Sequence, residues 1–373
     1  MMKQEEYLMR VADINYAEFY KQGFATAGHN GPHGHPDTPV RNTGHYLIIY
    51  SYLYKKTKKK RFLDICNKFA EYLLDMQKKS KSGAIQCMLS DIFDHLNGLI
   101  GQGWTIEALL YYYDISKDER CLDCAKAIFY SQKYDWNLHL WHRIELDGRD
   151  IDIDPTYNHH VWFASCSYKL AELCQDDNID KIITDFLTKG AERDFRVHDD
   201  GLLCHHVHID RPVMKAGKRK MFVKKMLFPI RFINPKKLDP KFMEYAYHVF
   251  DIYGFCILKE KYGDLPLYSS EKFRKAVTCA KNIDYLNRRN GVFDAIEKGK
   301  TFNPYGYSYN AFAFEYPYVA KCCGFYDENV QNDIWNIQKQ LMFDEDTGMF
   351  TRSQPDIETW NARTYEIVRF LET

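Results

Sequence analysis

The sequence has no excess of charge and no long hydrophobic run. Its 51 Lys and Arg balance 51 Asp and Glu, so its overall field predicts neither nucleic acid nor an anionic membrane as a partner. No stretch reaches the roughly 18 uncharged apolar residues that a membrane-spanning helix needs. Residues 1–16 carry two glutamates and no apolar core, so we expect no signal peptide and a cytoplasmic protein.

Motifs for common cofactors are also missing. The glycines at 98–103 lack the preceding strand and the following Lys-Ser/Thr of a phosphate loop. Histidines cluster at 29–35 and 198–208, but no HExxH or paired CxxC accompanies them, and Cys121-x-x-Cys124 has no second pair nearby. We therefore predict neither a cofactor nor a metal ion. The eleven cysteines are scattered through helix-like segments, which indicates buried thiols in a reducing compartment.

What the sequence does contain is a repeated helical hairpin, in which a helix that is apolar nearly all round precedes an amphipathic one. A proline precedes five of the six apolar helices, and Asn97-Gly98 marks the start of the other. The predicted pairs are 42–54 with 60–77, 97–115 with 118–132, 156–174 with 177–190, 241–260 with 269–288, 306–323 with 327–341, and 358–372 with 4–20. This order predicts an all-α, single-domain (α/α)6 toroid over residues 1–373, with an irregular helical domain as the alternative.

Two segments interrupt the repeat. Residues 136–153 alternate around Asp147-Gly148, which predicts a short β-hairpin lid. An insertion at 198–240 holds ten Lys or Arg and no acid between Asp210 and Asp239. Residues 211–237 are therefore predicted to form a basic wall for an anionic polymer or a flap that touches a membrane surface, with a solvated basic loop as the alternative.

The stretch 154–174 combines a buried helix with a polar first turn. Asp154 and Pro155 are predicted as its N-cap and first helical residue. Asn158, His159 and His160 follow, and such groups are costly to bury without partners. The pattern indicates a functional site, unless the histidines only satisfy neighbouring carbonyls.

Polar and aromatic residues gather at the predicted starts of all six inner helices, which share one end of a toroid. Aromatic rings beside amides, imidazoles and guanidinium groups are typical of a sugar-binding cleft. The candidates are Asp37, Arg41, Asn42, His45, Asp94, His95, Asn97, Gln102, Trp104, Asn158, His159, His160, Trp162, Tyr247, His248, Tyr305, Tyr307, Tyr309, Asn310, Glu358, Trp360, Asn361 and Arg363.

The segment 158–164 (NHHVWFA) resembles the Asn-His-x-x-Trp-x-Ala motif of alginate lyases with a toroid fold, and 246–250 (AYHVF) resembles their Tyr-His segment. The resemblance implies that Asn158 neutralises a uronate carboxylate, His159 removes the C5 proton and Tyr247 serves the leaving oxygen. The arginine that the family places shortly before its tyrosine is absent here. A β-eliminating lyase acting on an acidic poly- or oligosaccharide is the first prediction.

Other toroid families give the alternatives. Similarity to cytoplasmic unsaturated uronyl hydrolases implies an acid such as Asp94 or Asp37, with Glu315 or Glu358 contributing. N-acylglucosamine epimerase-like toroids share the proton-abstraction step. A non-catalytic protein of capsule or exopolysaccharide biosynthesis is the alternative from another class.

Overall fold

Paired helices make up most of the computed structural model, which describes residues 2–30, 34–90, 94–208, 241–282, 309–352 and 356–373. In chain order the helices are α1 (Gln4–Gln22), α2 (Val40–Thr57), α3 (Lys60–Lys78), α4 (Gly98–Ser116), α5 (Glu119–Ser131), α6 (Tyr157–Leu173), α7 (Asp177–Asp185), α8 (Phe242–Tyr262), α9 (Glu271–Lys281), α10 (Phe312–Cys322), α11 (Glu328–Met342), α12 (Ile357–Ala362) and α13 (Glu366–Glu372). A π-helical turn (Phe186–Ala191) and a short turn (Glu192–Asp194) extend α7, a short helix (Pro266–Ser269) precedes α9, and a 3-10 turn (Arg363–Tyr365) joins α12 to α13.

The even-numbered helices, together with α13, form a closed inner ring. Helix α2 packs against α4, α4 against α6, α6 against α8, α8 against α10, and α10 against α13, while α12 and the 3-10 turn return to α2. The predicted (α/α)6 toroid is thus confirmed.

Burial explains why the two kinds of helix have different sequences. Residues 98–110 of α4 are all buried, because this inner helix has protein on every side. The outer helix α3 buries one stripe that includes Phe62, Phe69 and Leu73, and it exposes lysines on its other side. The difference between the all-round apolar pattern and the one-sided pattern therefore predicted the inner and outer layers.

Short antiparallel strands occupy the loops between helices. They are β1 (His29–Asn30) with β2 (His35–Pro36), β3 (Tyr134–Asp135) with β4 (Leu140–Ile144) and β5 (Asp150–Ile153), and β6 (Phe343–Asp344) with β7 (Met349–Phe350). The predicted hairpin at 136–153 is confirmed by β4 and β5, which pair Arg143 with Asp152. Gly148 in its turn has a φ of +87°, a conformation that favours glycine.

Asp154 differs from its predicted role as a helix cap. Helix α6 begins at Tyr157 after an extended Thr156, so neither Asp154 nor Pro155 belongs to it. The side chain of Asp154 turns instead toward α4, where its Oδ2 accepts a hydrogen bond from Leu99 N at 3.3 Å. The N-cap prediction was wrong because a tertiary contact took the carboxylate.

Several predicted features lie outside the described residues. The basic stretch 211–237 is among them, as are Tyr305, Tyr307 and the X-Pro pairs at 239–240, 303–304 and 354–355. None of the helices in the described parts of the chain is both long and apolar enough to cross a membrane.

Candidate active site

The amino end of α4 is the meeting point of three polar side chains from two neighbouring entrances. Asp94 Oδ1 accepts hydrogen bonds from Gly98 N at 2.7 Å and Leu96 N at 3.2 Å. Asp154 accepts from Leu99 N in the same turn and holds His159 on its other side. Unpaired backbone N–H groups and the positive end of the helix dipole favour carboxylates at this position.

Gly98 makes this arrangement possible. Its φ is +58°, and an added Cβ would lie 2.6 Å from Asp154 Oδ2 and 2.6 Å from His159 Nδ1. Both distances are far below van der Waals contact, so any side chain here would push the carboxylate and the imidazole apart. The Asn97-Gly98 pair that marks the start of α4 in the sequence therefore also leaves room for the site.

His159 and Asp154 form an imidazole–carboxylate pair with Nδ1 2.8 Å from Oδ2. The Asp154 side chain is 1% exposed and that of His159 is 23% exposed. With Nδ1–H donating to the carboxylate, Nε2 keeps its lone pair, which is the arrangement that a general base requires. Burial raises the pKa of Asp154, but the interactions with His159, His160 and Arg143 together outweigh burial and bring this pKa below its ordinary value.

Asp94 has the opposite electrostatics. Burial raises the pKa of its carboxyl group, an effect that the Gly98 N–H and the Arg143 guanidinium offset only in part. Arg143 Nη1 lies 3.7 Å from Asp94 Oδ2, on a side chain that is 27% exposed. The Asp94 carboxyl group therefore holds its proton to a higher pH than the Asp154 carboxyl group does.

Asn158 lies one position before His159 and is buried. Its side chain hydrogen-bonds Asp251 on α8, whose pKa burial raises well above the ordinary value. Neither Asn158 Oδ1 nor Asp251 Oδ1 has a hydrogen-bond partner among the described residues. Buried polar atoms are normally paired, so these two oxygens mark a place where a polar ligand would be satisfied.

Tyr247 on α8 contributes an aromatic wall. Its ring centroid lies 5.0 Å from that of His205 and 6.0 Å from that of Tyr309. Burial, together with the neighbouring His206 and His159, lowers the pKa of His205 to about 3, so this imidazole is neutral. His205 was not among the predicted site residues, because it is 42 or more residues from the other wall residues in sequence.

His45 lies within the helical ring with no exposed surface. Its ring stacks on Tyr365 at 4.1 Å and meets the edge of Trp104 at 5.1 Å. Both ring nitrogens, Trp104 Nε1 and Tyr365 Oη have no hydrogen-bond partner in the part of the chain that the structure describes. Burial, Arg41 and Arg363 together hold the pKa of His45 well below its ordinary value. These neutral donors and acceptors suit sugar hydroxyls.

The entrances of α2 and α12 hold a second polar group that the protein satisfies only in part. Asp37 and Arg41 form a buried ion pair. The same guanidinium group donates to His29 O at 2.7 Å and Thr359 Oγ1 at 2.9 Å, and Asn42 Nδ2 donates to Thr26 O at 2.8 Å. Arg41 Nε and Asn42 Oδ1 have no hydrogen-bond partner among the described residues, so ligand binding by these side chains stays a prediction.

Arg363 is fully engaged. Its five N–H groups donate to Glu366 Oε1, Glu315 Oε1, Asn310 Oδ1 and the Tyr309 carbonyl at 2.6 to 3.1 Å. A guanidinium group has five such hydrogens, so none remains for a substrate. Arg363 and Asn310 thus join α12 to α10, in contrast to their predicted role in substrate binding.

Four further predicted ligand-binding side chains hydrogen-bond the backbone of neighbouring elements. Gln102 exchanges two hydrogen bonds of 2.9 Å with the backbone of Ile85. Trp162 Nε1 donates to Phe250 O. His160 hydrogen-bonds Trp141 N and Asp154 O, and His248 hydrogen-bonds Leu203 N and Ala276 O. The two histidines use both ring nitrogens in this way, and we assign all four side chains to helix packing.

The remaining predicted residues contact neighbouring elements of the toroid. His95 Nδ1 lies 2.9 Å from Glu145 Oε1 in the β4–β5 hairpin, and Asn97 has a φ of +57°. Trp360 packs against Phe314 and Phe350, and Asn361 bonds Tyr7 and the Phe350 backbone. Burial raises the pKa of Glu358.

No protein-family model matches the chain. Archaeal glycosylation protein Q from Haloferax volcanii is 27% identical over 383 residues, which cover 99% of this chain and 98% of that protein. Cellobiose 2-epimerase from Bacillus thermoamylovorans B4167 is similar in structure, with a TM-score of 0.64 and 14% identity over 98% of this chain and 100% of that chain. Unsaturated glucuronyl hydrolase from Bacillus sp. GL1 has a TM-score of 0.61 and 13% identity over 99% and 97%.

Similar solved structures also include a D-mannose isomerase and a polysaccharide lyase. At these low identities the likeness shows the toroid fold. The same fold is found in a sugar isomerase, a glucuronyl hydrolase and a polysaccharide lyase.

Proposed function

We propose that this protein is a carbohydrate-active enzyme that removes a proton beside the carboxylate of an acidic sugar, with β-elimination as the outcome. The observation that carries the proposal is the His159–Asp154 pair, 2.8 Å apart, with a buried carboxylate and a partly exposed imidazole. Such a carboxylate fixes the ring orientation and stabilises the imidazolium that forms when the base takes a proton.

The proposed reaction uses the neighbouring groups as follows. His159 Nε2 takes the proton from C5 of a uronate, the electron pair forms the C4–C5 double bond, and the C4–O4 bond breaks. Tyr247 protonates the departing oxygen. Asn158 is proposed to donate to the substrate carboxylate, and Arg143 places a cation at the same side of the site. The hydrogen bond to buried Asp251 uses one of the two Asn158 Nδ2 hydrogens and holds the amide in position, so the second hydrogen is the one proposed to donate.

Asp94 supports a second candidate, hydrolysis of an unsaturated uronide. Its buried carboxyl group has a raised pKa and lies beside Arg143, so it is protonated more readily than an ordinary aspartate. In this mechanism Asp94 would deliver a proton to C4 of the double bond and water would add at C5. The fold likeness to an unsaturated glucuronyl hydrolase supports this candidate as much as the likeness to a lyase supports the first.

The curated relative bears on the biological role. The name of the Haloferax volcanii relative places that protein in glycosylation, so we propose that the substrate here is a glycan under assembly or processing. A non-catalytic assembly protein would instead bind the glycan without turnover.

One assay separates these candidates. The protein is incubated with a panel of uronate polymers and with pre-cut unsaturated oligosaccharides, and the ultraviolet absorbance of the conjugated uronate is followed. Elimination raises the absorbance on the polymers, hydrolysis lowers it on the unsaturated oligosaccharides, and epimerisation leaves it unchanged while producing a new sugar.

The matched control for this assay is a second His–Asp pair in the same chain. His139 Nδ1 lies 2.7 Å from Asp185 Oδ2 and its side chain is 22% exposed, nearly the values for His159. We expect His159→Ala to reduce elimination at least about 100-fold and His139→Ala to retain it. Equal losses in both variants, or full activity in His159→Ala, would contradict the proposed base.

A further inference from the structure

Three potential metal ligands converge between the segment 197–204 and the first turn of α8. His198 Nε2 lies 2.8 Å from Glu244 Oε2 and 3.6 Å from Cys204 Sγ, and the three ligand atoms all lie within 4.8 Å of one another. The group is partly buried, with His198 and Glu244 side chains 32% and 17% exposed. An ion from solution can therefore reach it.

The hairpin backbone brings these residues together. Val197 bridges Leu203, His198 N donates to Leu202 O at 2.9 Å, and Gly201 turns the chain with a φ of +88°. His198 and Cys204 consequently meet on one side of the hairpin, next to Glu244. Because the ligands are six and then forty residues apart in sequence, no short metal motif reveals them.

We propose that His198, Cys204 and Glu244 bind one Zn²⁺ ion. Thiolate, imidazole and carboxylate are the ligands that zinc takes in proteins. Tetrahedral zinc with the usual bond lengths separates a nitrogen from an oxygen ligand by about 3.4 Å and from a sulfur ligand by about 3.6 Å. The His198–Cys204 distance already matches, and the His198–Glu244 distance needs to open by about half an ångström.

The position of the ion indicates its role. Glu244 Oε1 accepts from His205 N at 3.3 Å, so the carboxylate already links the hairpin to α8. The same hairpin carries His205 and α8 carries Tyr247, whose rings lie 5.0 Å apart. Zinc at this point would clamp the aromatic wall of the site, and it would act as a positioning ion that does not contact the sugar.

Cobalt binding tests the proposal without any activity assay. Full-length protein is stripped with EDTA, dialysed, and titrated with Co²⁺ and then Zn²⁺. We expect a near-ultraviolet thiolate-to-cobalt band that saturates at one equivalent and is displaced by zinc. Elemental analysis of zinc-loaded, gel-filtered protein should give one zinc per chain.

Variants identify the ligands. Cys204→Ser should abolish the band and weaken zinc binding by at least about tenfold, and His198→Ala should weaken it similarly, with helicity checked by circular dichroism. Cys174→Ser is the matched control, because Cys174 is also partly buried but lies at the end of α6. Absence of the band in the wild type, or its survival in Cys204→Ser, would overturn the proposal. A band lost equally in Cys174→Ser would do the same. None of these outcomes depends on turnover, so they leave the proposed function untouched.

Discussion

Two regions of the toroid, each formed by two helix entrances, contain the same kinds of residue but differ in how the protein pairs their charges. At the entrances of α2 and α12, Asp37 pairs with Arg41, and Arg363 pairs with Glu315 and Glu366. At the entrances of α4 and α6, the buried Asp154 holds one ring nitrogen of a partly exposed His159.

The difference shows that polarity at a helix start does not by itself identify a catalytic group. A buried charge must be paired, and most pairs only hold the structure together. A group suited to chemistry is oriented by one partner and retains one unsatisfied atom that a ligand can reach. We therefore propose that the charged groups at α2 and α12 stabilise the fold and that those at α4 and α6 transfer protons.

The largest expected effect is on turnover in Asp154→Asn. The amide can no longer stabilise an imidazolium at His159, so turnover should fall by about 10² to 10⁴. The matched variant is Asp185→Asn, which alters the equivalent partner of His139 and should retain activity. Initial rates of both variants measure the difference, and an active Asp154→Asn would remove the distinction between the two entrances.

Arg363→Met should chiefly affect stability. It leaves Glu315 and Glu366 buried without their cation, which costs about 3–5 kcal/mol in free energy of unfolding. The comparison variant is Arg61→Met, whose exposed pair with Asp13 should contribute about 1 kcal/mol or less. Urea unfolding gives both values. A change of less than about 1 kcal/mol in Arg363→Met would show that the ion pairs of Arg363 with Glu315 and Glu366 are not needed for the fold.

The buried Arg363–Glu315–Glu366 cluster should also make the free energy of unfolding depend on pH. Burial raises the pKa of Glu366 to about 7, although Arg363 opposes the shift. The folded state thus binds a proton that the unfolded state has released. This bound proton stabilises the folded state fully below about pH 4.5, and it adds as much as about 3 kcal/mol to the free energy of unfolding. The stabilisation is lost as the pH rises through about 7.

Urea unfolding between pH 5 and 8 measures this effect. Glu366→Gln should flatten the decline, whereas the exposed Glu119→Gln should leave it unchanged. An unchanged slope in Glu366→Gln would place the titrating group elsewhere.

Gly98→Ala should be selective for activity. Gly98 and Gly23 both have positive φ, at +58° and +84°, but of the two only Gly98 has neighbours within 4 Å of an added Cβ. The left-handed backbone should cost alanine about 1–2 kcal/mol at either position, and the close contacts at Gly98 add to that cost. Only Gly98→Ala should reduce turnover, because its Cβ displaces Asp154 and His159. Equal turnover in the two variants would show that the close approach at Gly98 is unimportant.

Sequence patterns predicted the ring of helices because each inner helix is apolar on every side, and Thr38-Pro39 and Asn97-Gly98 mark true starts. The roles within a helix were harder to predict. His159 and His160 are adjacent, and only the contact of His160 with Trp141 and the Asp154 carbonyl shows that His160 packs the core.

Partners that are distant in sequence could not be predicted. Arg363 was expected to bind substrate, because nothing in the local sequence shows that Glu315, 48 residues away, neutralises it. Asp154 was expected to cap α6, although it caps α4 and orients His159. Both differences arise from tertiary contacts, which local propensity does not encode.

The most direct test of the central claim is exchange of the substrate proton with solvent. Uronate-containing oligosaccharides are incubated in D₂O with the wild type, His159→Ala and His139→Ala, and deuterium at C5 is followed by NMR together with product formation. We expect the C5 proton to be lost, by exchange or elimination, with the wild type and with His139→Ala. With His159→Ala we expect the rate of this loss to be at least about 100-fold lower. Loss of that proton at the wild-type rate in His159→Ala would contradict the assignment of His159 as the base.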